Sequence, residues 1–195
     1  MAANGREIVV VRLRLALTMV GVLTASAAGA QQPLYTGIIT PYLGAAAGGD
    51  VEGRGVTPGA SMAVLDNNGL GAELDVGHTR EIDETLFSES AITSVMVNVI
   101  GMWRISAVRP FVVAGAGLLR VRAELPVVGL VTSRTDWAFD AGAGVLYMFD
   151  DAIGVRGDVR YFRYLQRHDD LPLRDNGFFD YWRTSIGVTF AWPIR

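Results

Sequence analysis

The chain has 195 residues, enough for one domain or a small pair. Half of it is hydrophobic, 19% is charged and 23 residues are Gly. That composition excludes a disordered tail, and a net charge of −3 without a basic run excludes ordinary electrostatic nucleic-acid binding. The absence of Cys excludes a disulfide framework, a thiolate zinc site, a Cys nucleophile and a lipid-modified N-terminal Cys.

Residues 1–30 read as an export address. Arg6, Arg12 and Arg14 form a positive start, residues 15–23 are an apolar core of nine, and Ala28-Gly29-Ala30 sets small residues where a signal peptidase reads. The expected cut falls after Ala28 and Ala30, immediately before Gln31. The core is too short for the ~20 residues of a spanning helix, so the reading is cleavage rather than a retained anchor. The mature part, 31–195, keeps 14 basic and 19 acidic residues, a net charge of −5.

Beyond residue 30 there is no apolar run long enough for a membrane helix, and Gly and β-branched residues interrupt every helical period. Two-residue alternation fits instead, over 35–47, 56–65, 69–79, 91–103, 109–124, 136–149, 153–165 and 178–192. The connections at 49–55, 80–90, 125–135 and 166–177 read as long, and those at 66–68, 104–108 and 150–152 as short. Alternating long and short connections predict an eight-stranded antiparallel up-and-down barrel. Tight turns and both termini then share one rim, and longer loops share the other. A Greek-key sandwich does not predict this alternation.

The faces indicate the solvent. In 153–165, Ile153, Val155, Val159 and Tyr161 oppose Arg156, Asp158 and Arg160. In 136–149, Trp137, Phe139, Val145, Tyr147 and Phe149 oppose Ala138, Asp140, Gly142 and Gly144. In the last strand Trp182, Ile186, Val188, Phe190 and Trp192 oppose Arg183, Ser185 and Gly187. The apolar rows end in aromatics at both limits, as a membrane girdle does: Trp103, Phe111, Phe149 and Trp192 at the turn rim, Trp137, Tyr161 and Trp182 near the loop rim. The polar rows supply Glu73, Asp75, Asp140 and Asp158 against Arg120, Arg122, Arg156 and Arg160, a balanced set for a crowded lumen. The all-β fold expected is therefore a transmembrane barrel, with a soluble lipocalin-like barrel as the alternative.

The stretch Arg109-Pro110-Phe111-Val112-Val113-Ala114-Gly115-Ala116-Gly117 is similar to the RPYV-GAGAG strand of small outer-membrane barrels. Phe139-Asp140-Ala141-Gly142-Ala143-Gly144-Val145 and residues 150–161 continue the likeness. The chain thus resembles the OmpA/OmpX-like eight-stranded outer-membrane β-barrel family over most of 35–192. One departure is that Phe190 and Trp192 are followed by Pro193-Ile194-Arg195, where family members usually end on an aromatic. The resemblance implies residence in the outer membrane of a diderm bacterium, with outer-membrane lipid and the barrel assembly machinery as partners. A monomer without cofactor or nucleic acid is expected.

Chemistry-bearing residues are sparse. An eight-stranded barrel is just wide enough to be filled by its own side chains, so the lumen charges read first as an internal salt-bridge network and second as an ion path. His78 takes the lipid-facing parity near a rim. His168 with Asp169, Asp170 and Asp175 reads as a solvated loop, since it lacks fixed ligand spacing. No Ser–His–acid triad can be assembled, and the Gly-Ala repeats are followed by no helix that would make them a phosphate loop. The segment 80–90 is acidic at Glu81, Asp83, Glu84 and Glu89. The segment 125–135 is apolar at Val127, Val128, Leu130 and Val131, and reads as a hairpin extending past the membrane or as a contact surface. The function expected is a structural and surface role, with exposed loops for adhesion or surface interaction. A small pore is the second reading, a lipid-acting enzyme the third and a soluble ligand-binding barrel the fourth.

Overall fold

The computed structural model describes residues 35–49, 51–82, 89–125, 130–165 and 179–194. Eight strands run in chain order: β1 Tyr35–Gly48, β2 Val51–Asp66, β3 Leu70–Ile82, β4 Glu89–Met102, β5 Val108–Leu125, β6 Leu130–Met148, β7 Ile153–Tyr164 and β8 Asp180–Ile194. Each pairs antiparallel with the next, and β1 pairs with β8 to close the barrel. Closure runs from Tyr35 opposite Ile194 to Ala47 opposite Trp182. Pro193 and Ile194 therefore belong to the ladder that closes the barrel.

All eight expected strands are present, but two of the expected long loops are mostly strand. The segment read as a loop at 49–55 is strand from Val51, which leaves two residues between β1 and β2. Gly48 and Gly49 make this possible with positive φ of 79° and 63°, the left-handed backbone that a tight hairpin needs. A register shift between Ala46 and Gly48 marks a bulge beside the turn. The Gly-rich start of β2 hid the strand from a propensity reading. At 125–135 the ladder continues until Leu125 faces Leu130, so this segment is a hairpin. Residues 126–129 lie outside the described residues, as do residues 1–30 and the His168, Asp169, Asp170 and Asp175 group.

The turns at the terminal rim are locally locked. Asp66 closes the β2–β3 turn: the backbone N–H groups of Asn68 and Leu70 both donate to its Oδ1 at 2.9 Å. Gly69 follows with φ 86°, and a Cβ there would lie 1.9 Å from the Met102 carbonyl oxygen. Asp150 repeats the device at the β6–β7 turn, accepting from Ala152 and Ile153 at 2.7 Å each.

Alternation divides each strand between two environments. The outward row of β8 is Trp182, Thr184, Ile186, Val188, Phe190 and Trp192, and that of β4 includes Val95, Val97 and Val99. These large apolar side chains are exposed, Val99 at 62%. The inward positions hold Glu73, Asp75, Asn98, Asp140, Arg156, Asp158, Arg160 and Arg183, all buried. Apolar residues outside and charges inside are the reverse of a soluble barrel. From Trp182 to Trp192 the strand runs about 33 Å, which at a tilt near 40° is roughly the 25 Å apolar band of an outer-membrane barrel. Lipid is the only solvent that suits this surface, and closure leaves no strand edge unpaired within it.

Candidate functional site

The lumen holds the densest chemistry in the described residues. It is layered along the barrel axis. Nearest the turn rim, Ile38, Leu65, Ile100, Met102, Phe111, Leu146 and Met148 pack as one apolar cluster. Nearest the loop rim, Ile92, Met96, Leu119, Phe162, Tyr164, Phe179 and Tyr181 pack as another. Phe162 and Tyr181 stack with centroids 4.8 Å apart and planes 7° from parallel. Between the two clusters lies the charged layer.

Arg160 is the hub of that layer. Its Nη2 donates to Glu73 Oε1 at 2.8 Å and its Nε to Asp158 Oδ1 at 3.2 Å. Its Nη1 lies 3.4 Å from Asp140 Oδ2 and 3.8 Å from Asp75 Oδ2. Arg156 bridges Glu73 Oε2 at 2.6 Å and Asp158 Oδ2 at 3.1 Å. It also donates to Ser61 Oγ at 3.3 Å. Arg183 pairs with Asp75 at 2.8 Å, and its guanidinium sits over the rings of Tyr42 and Phe162 at 4.8 and 4.9 Å. Ser185 donates to Asp158 at 3.0 Å. With its amide nitrogen toward Asp140, Asn98 donates to Asp140 Oδ1 at 2.7 Å and accepts from Arg160 Nη1 at 3.0 Å. Four carboxylates and three guanidiniums thus share one buried layer among the described residues. Mutual pairing of this kind is what makes buried ions tolerable.

Small inward residues make the room. A Cβ added at Gly142 would lie 2.7 Å from Arg160 Cγ, and one at Gly77 2.7 Å from Arg183 Nη1. The Gly-Ala alternation of β5 and β6 is therefore spatial: Gly115, Gly117, Gly142 and Gly144 take the inward positions and Ala114, Ala116, Ala141 and Ala143 face out.

Six of the eight residues expected in the lumen network meet there: Glu73, Asp75, Asp140, Arg156, Asp158 and Arg160. Arg120 and Arg122 do not. They share parity with Val112, Ala114, Ala116 and Leu118 and are exposed on the outer face, where Arg120 Nε donates to Ser133 Oγ at 3.1 Å. The alternation already carried this placement, since Phe111, Val113 and Leu119 occupy the other face of β5. Phe111 is likewise corrected. It is 1% exposed inside the barrel, beneath the Arg156 guanidinium at 4.2 Å, and is no part of the girdle. The other girdle residues lie on the outer face: Trp103, Trp137, Phe149, Trp182 and Trp192 are exposed, and Tyr161 is half-buried against Trp182 at 5.1 Å. Arg183, on the polar face of the last strand, joins the network as well. Tyr42 and Asn98 carried no charge to flag them, only inward parity. His78 faces outward, with Nδ1 2.9 Å from Thr93 Oγ1.

Comparison with known proteins agrees with this architecture. The chain matches the family described as outer membrane protein beta-barrel domain over residues 15–192. No curated protein matches it significantly in sequence. It is similar in fold to neisserial surface protein A, with 15% identity, a TM-score of 0.59, and coverage of 82% of this chain and 97% of that one. It is also similar to the N-terminal β-barrel domain of OprF from Pseudomonas aeruginosa, with 16% identity, a TM-score of 0.54, and coverage of 83% and 100%. A third similar fold is Ail, the attachment invasion locus protein of Yersinia pestis, with 16% identity, a TM-score of 0.53, and coverage of 81% and 97%.

Proposed function

Because the chain belongs to the outer membrane protein beta-barrel domain family, we propose that it acts at the cell surface through its loop rim, with the lumen serving as a structural core. The protein is an outer-membrane barrel of a diderm bacterium, embedded in membrane lipid. The observation that carries the proposal is the layered lumen: the charges are paired with one another, and apolar clusters flank them on both sides. The water-filled interior of a porin is instead polar. The role assigned to Glu73, Asp75, Asp140, Arg156, Asp158, Arg160 and Arg183 is to hold the barrel shape. No catalytic or cofactor role is assigned to any of them.

Activity then belongs to what the rim presents. The longest connection spans 15 residues between Tyr164 and Asp180. Two proteins of similar fold are described as a surface protein and an attachment protein, which lies in the same direction. The proposal includes export by residues 1–30, cleavage before Gln31, folding by the barrel assembly machinery and function as a monomer. Mass spectrometry of the mature protein tests the cut: an N-terminus at Gln31 is expected, and a retained leader contradicts it.

The surface role is tested in the native host. Deletion is expected to lower adherence of whole cells to coated abiotic, glycan or epithelial surfaces. The full chain restores it, and a chain with residues 166–178 replaced by Gly-Ser does not. Unchanged adherence on every surface after deletion contradicts the proposal.

A further inference from the structure

The ladders on either side of the β1–β2 hairpin are both interrupted. The β1–β8 ladder skips from Ile39 opposite Phe190 to Tyr42 opposite Gly187. The β2–β3 ladder skips from Val56 opposite Arg80 to Gly59 opposite Gly77. Pro41 lies in the first gap and Pro58 in the second, and proline has no N–H to give a neighbouring strand. The seams β3–β4, β4–β5, β5–β6, β6–β7 and β7–β8 run without a skipped rung. Within the hairpin itself the ladder is continuous from Tyr35 opposite Asp66 to Ala46 opposite Gly55.

Side chains bridge both gaps from inside the barrel. Thr40 Oγ1 and Thr189 Oγ1 lie 2.9 Å apart on the skipped β1–β8 rung, and Thr57 Oγ1 and Thr79 Oγ1 2.7 Å apart on the skipped β2–β3 rung. Tyr42 adds a second clasp to β3, its hydroxyl donating to Asp75 Oδ1 at 3.3 Å and to the Val76 carbonyl at 3.2 Å. Toward the loops the hairpin is held by little else on its β3 side. There the β2–β3 ladder adds one rung, Val56 opposite Arg80, and ends, while β2 continues along β1 to Val51 and β3 along β4 to Ile82. The inward positions of this half are small, Gly44, Ala46 and Gly55. The charged residues of the lumen layer stand on β3, β6, β7 and β8, not on the hairpin. Toward the turn rim, by contrast, Ile38, Ala63 and Leu65 anchor the same hairpin in an apolar cluster.

We propose that the loop-side half of the hairpin, residues 42–57, is a hinged flap in the barrel wall. It parts from β3 at the Thr57–Thr79 clasp and keeps its own β1–β2 ladder. Pro41 and Pro58 mark the base of its two legs, and the rungs from Tyr42 opposite Gly187 to Ala47 opposite Trp182 hold it to β8 as it turns. Every rung broken in lipid leaves polar backbone groups unpaired, so the wall opens where rungs are fewest. Opening draws Tyr42 away from Asp75 and uncovers the Arg183 guanidinium, which the closed flap covers with the Tyr42 ring at 4.8 Å. The turn-rim cluster stays shut throughout.

The test is amide hydrogen exchange read residue by residue by NMR on the full folded chain in lipid nanodiscs. Amides on the facing edges of β2 and β3, at 55–59 and 77–80, are expected to exchange about tenfold faster than those between β4 and β5 in the same rows, at 91–94 and 119–122. Amides shared by β1 and β2 stay as slow as the β4–β5 set, because the flap moves as a unit. The chain has no Cys, so Thr57→Cys/Thr79→Cys supplies a lone pair of thiols. Its oxidised form is expected to slow the β2–β3 edge to the β4–β5 rate, and its reduced form to release it. Thr57→Val removes one hydrogen bond and should speed the same edge about fivefold. Pro58→Ala restores a donor and should slow it.

Four results overturn the proposal. The first is equal exchange at the β2–β3 and β4–β5 edges of the natural chain. The second is an oxidised cross-link that leaves the β2–β3 rate unchanged, or, should the cysteine pair prevent folding, a Pro58→Ala chain that does so. The third is a Thr57→Val chain in which both edges speed up equally, which makes the threonine a general structural residue. The fourth is loss of β1–β2 protection together with that of β2–β3, which is melting of the hairpin and not a hinge.

Discussion

At the scale of single residues, Arg160 is the position on which the lumen depends most. It is 1% exposed and touches four carboxylates. Replacing it with Met leaves those carboxylates in a buried layer with two guanidiniums. The loss expected is about 3–5 kcal/mol, the usual cost of removing one partner from a buried ion pair. Equilibrium unfolding by urea in lipid vesicles measures it, and a loss below about 1 kcal/mol contradicts a buried, mutually paired network. Asp66 gives a pH-dependent counterpart outside the membrane. Backbone N–H donation, from Leu70 first, holds its carboxyl below the usual carboxylate range. A depressed folded value means that its stabilisation is present above the unfolded value near ~3.9 and is lost as pH falls through the folded one. Asp66→Ala is therefore expected to speed unfolding at pH 7 and to make little difference once both values have been passed in acid. An equal effect at both pH values contradicts the charge-dependent part of this account.

At the scale of the strand, facing decides the cost of substitution. Val97 lies on the outer face of β4 between the two girdles, and Thr93 lies on the same face one row beyond Trp137 toward the loops. Val97→Arg is expected to destabilise by about 2–4 kcal/mol and Thr93→Arg by about 1 kcal/mol or less, as the depth dependence of lipid-facing charge requires. Equal costs, measured by the same unfolding, contradict the placement of the lipid band. Alternation also set how much of the fold was legible. It carried eight strands, their faces and the inward Glu73, Asp75, Asp140, Arg156, Asp158 and Arg160, because a period of two is a local property of the chain. The placements that failed were those that let residue type override parity. Charge alone groups Arg120 and Arg122 with the lumen, and aromatic character near a rim groups Phe111 with the girdle, while parity places each on the opposite face. The start of β2 failed for a different reason. Its Val-Glu-Gly-Arg-Gly run has little strand propensity, and pairing to β1 supplies what the local sequence lacks. The contribution of Tyr42 was not legible either. Its hydroxyl reaches over Gly59 of β2 and donates to Asp75 of β3, a contact two strands away that no local pattern announces.

At the scale of the whole molecule, barrel size and lumen chemistry bear on the same question. Eight strands enclose a space that their own side chains can fill. Here the filling is an ionic layer between two apolar ones. Such a barrel is held closed by its ladder and its core alike, so the protein from the membrane fraction should migrate differently in SDS before and after boiling. The surface of the same barrel divides into a lipid band, the polar rows of His78, Thr93 and Arg120 and of Arg80, Ala91 and Arg122, and the loops above. Function is thereby assigned to the outside of the molecule. The most direct test is single-channel recording of the folded full chain in a planar bilayer. The account predicts no steady conductance in symmetric salt, because ions would have to cross both apolar layers and break the Arg160 pairs. A steady, reproducible conductance that persists in Arg160-intact protein would contradict the sealed lumen and move the protein to transport.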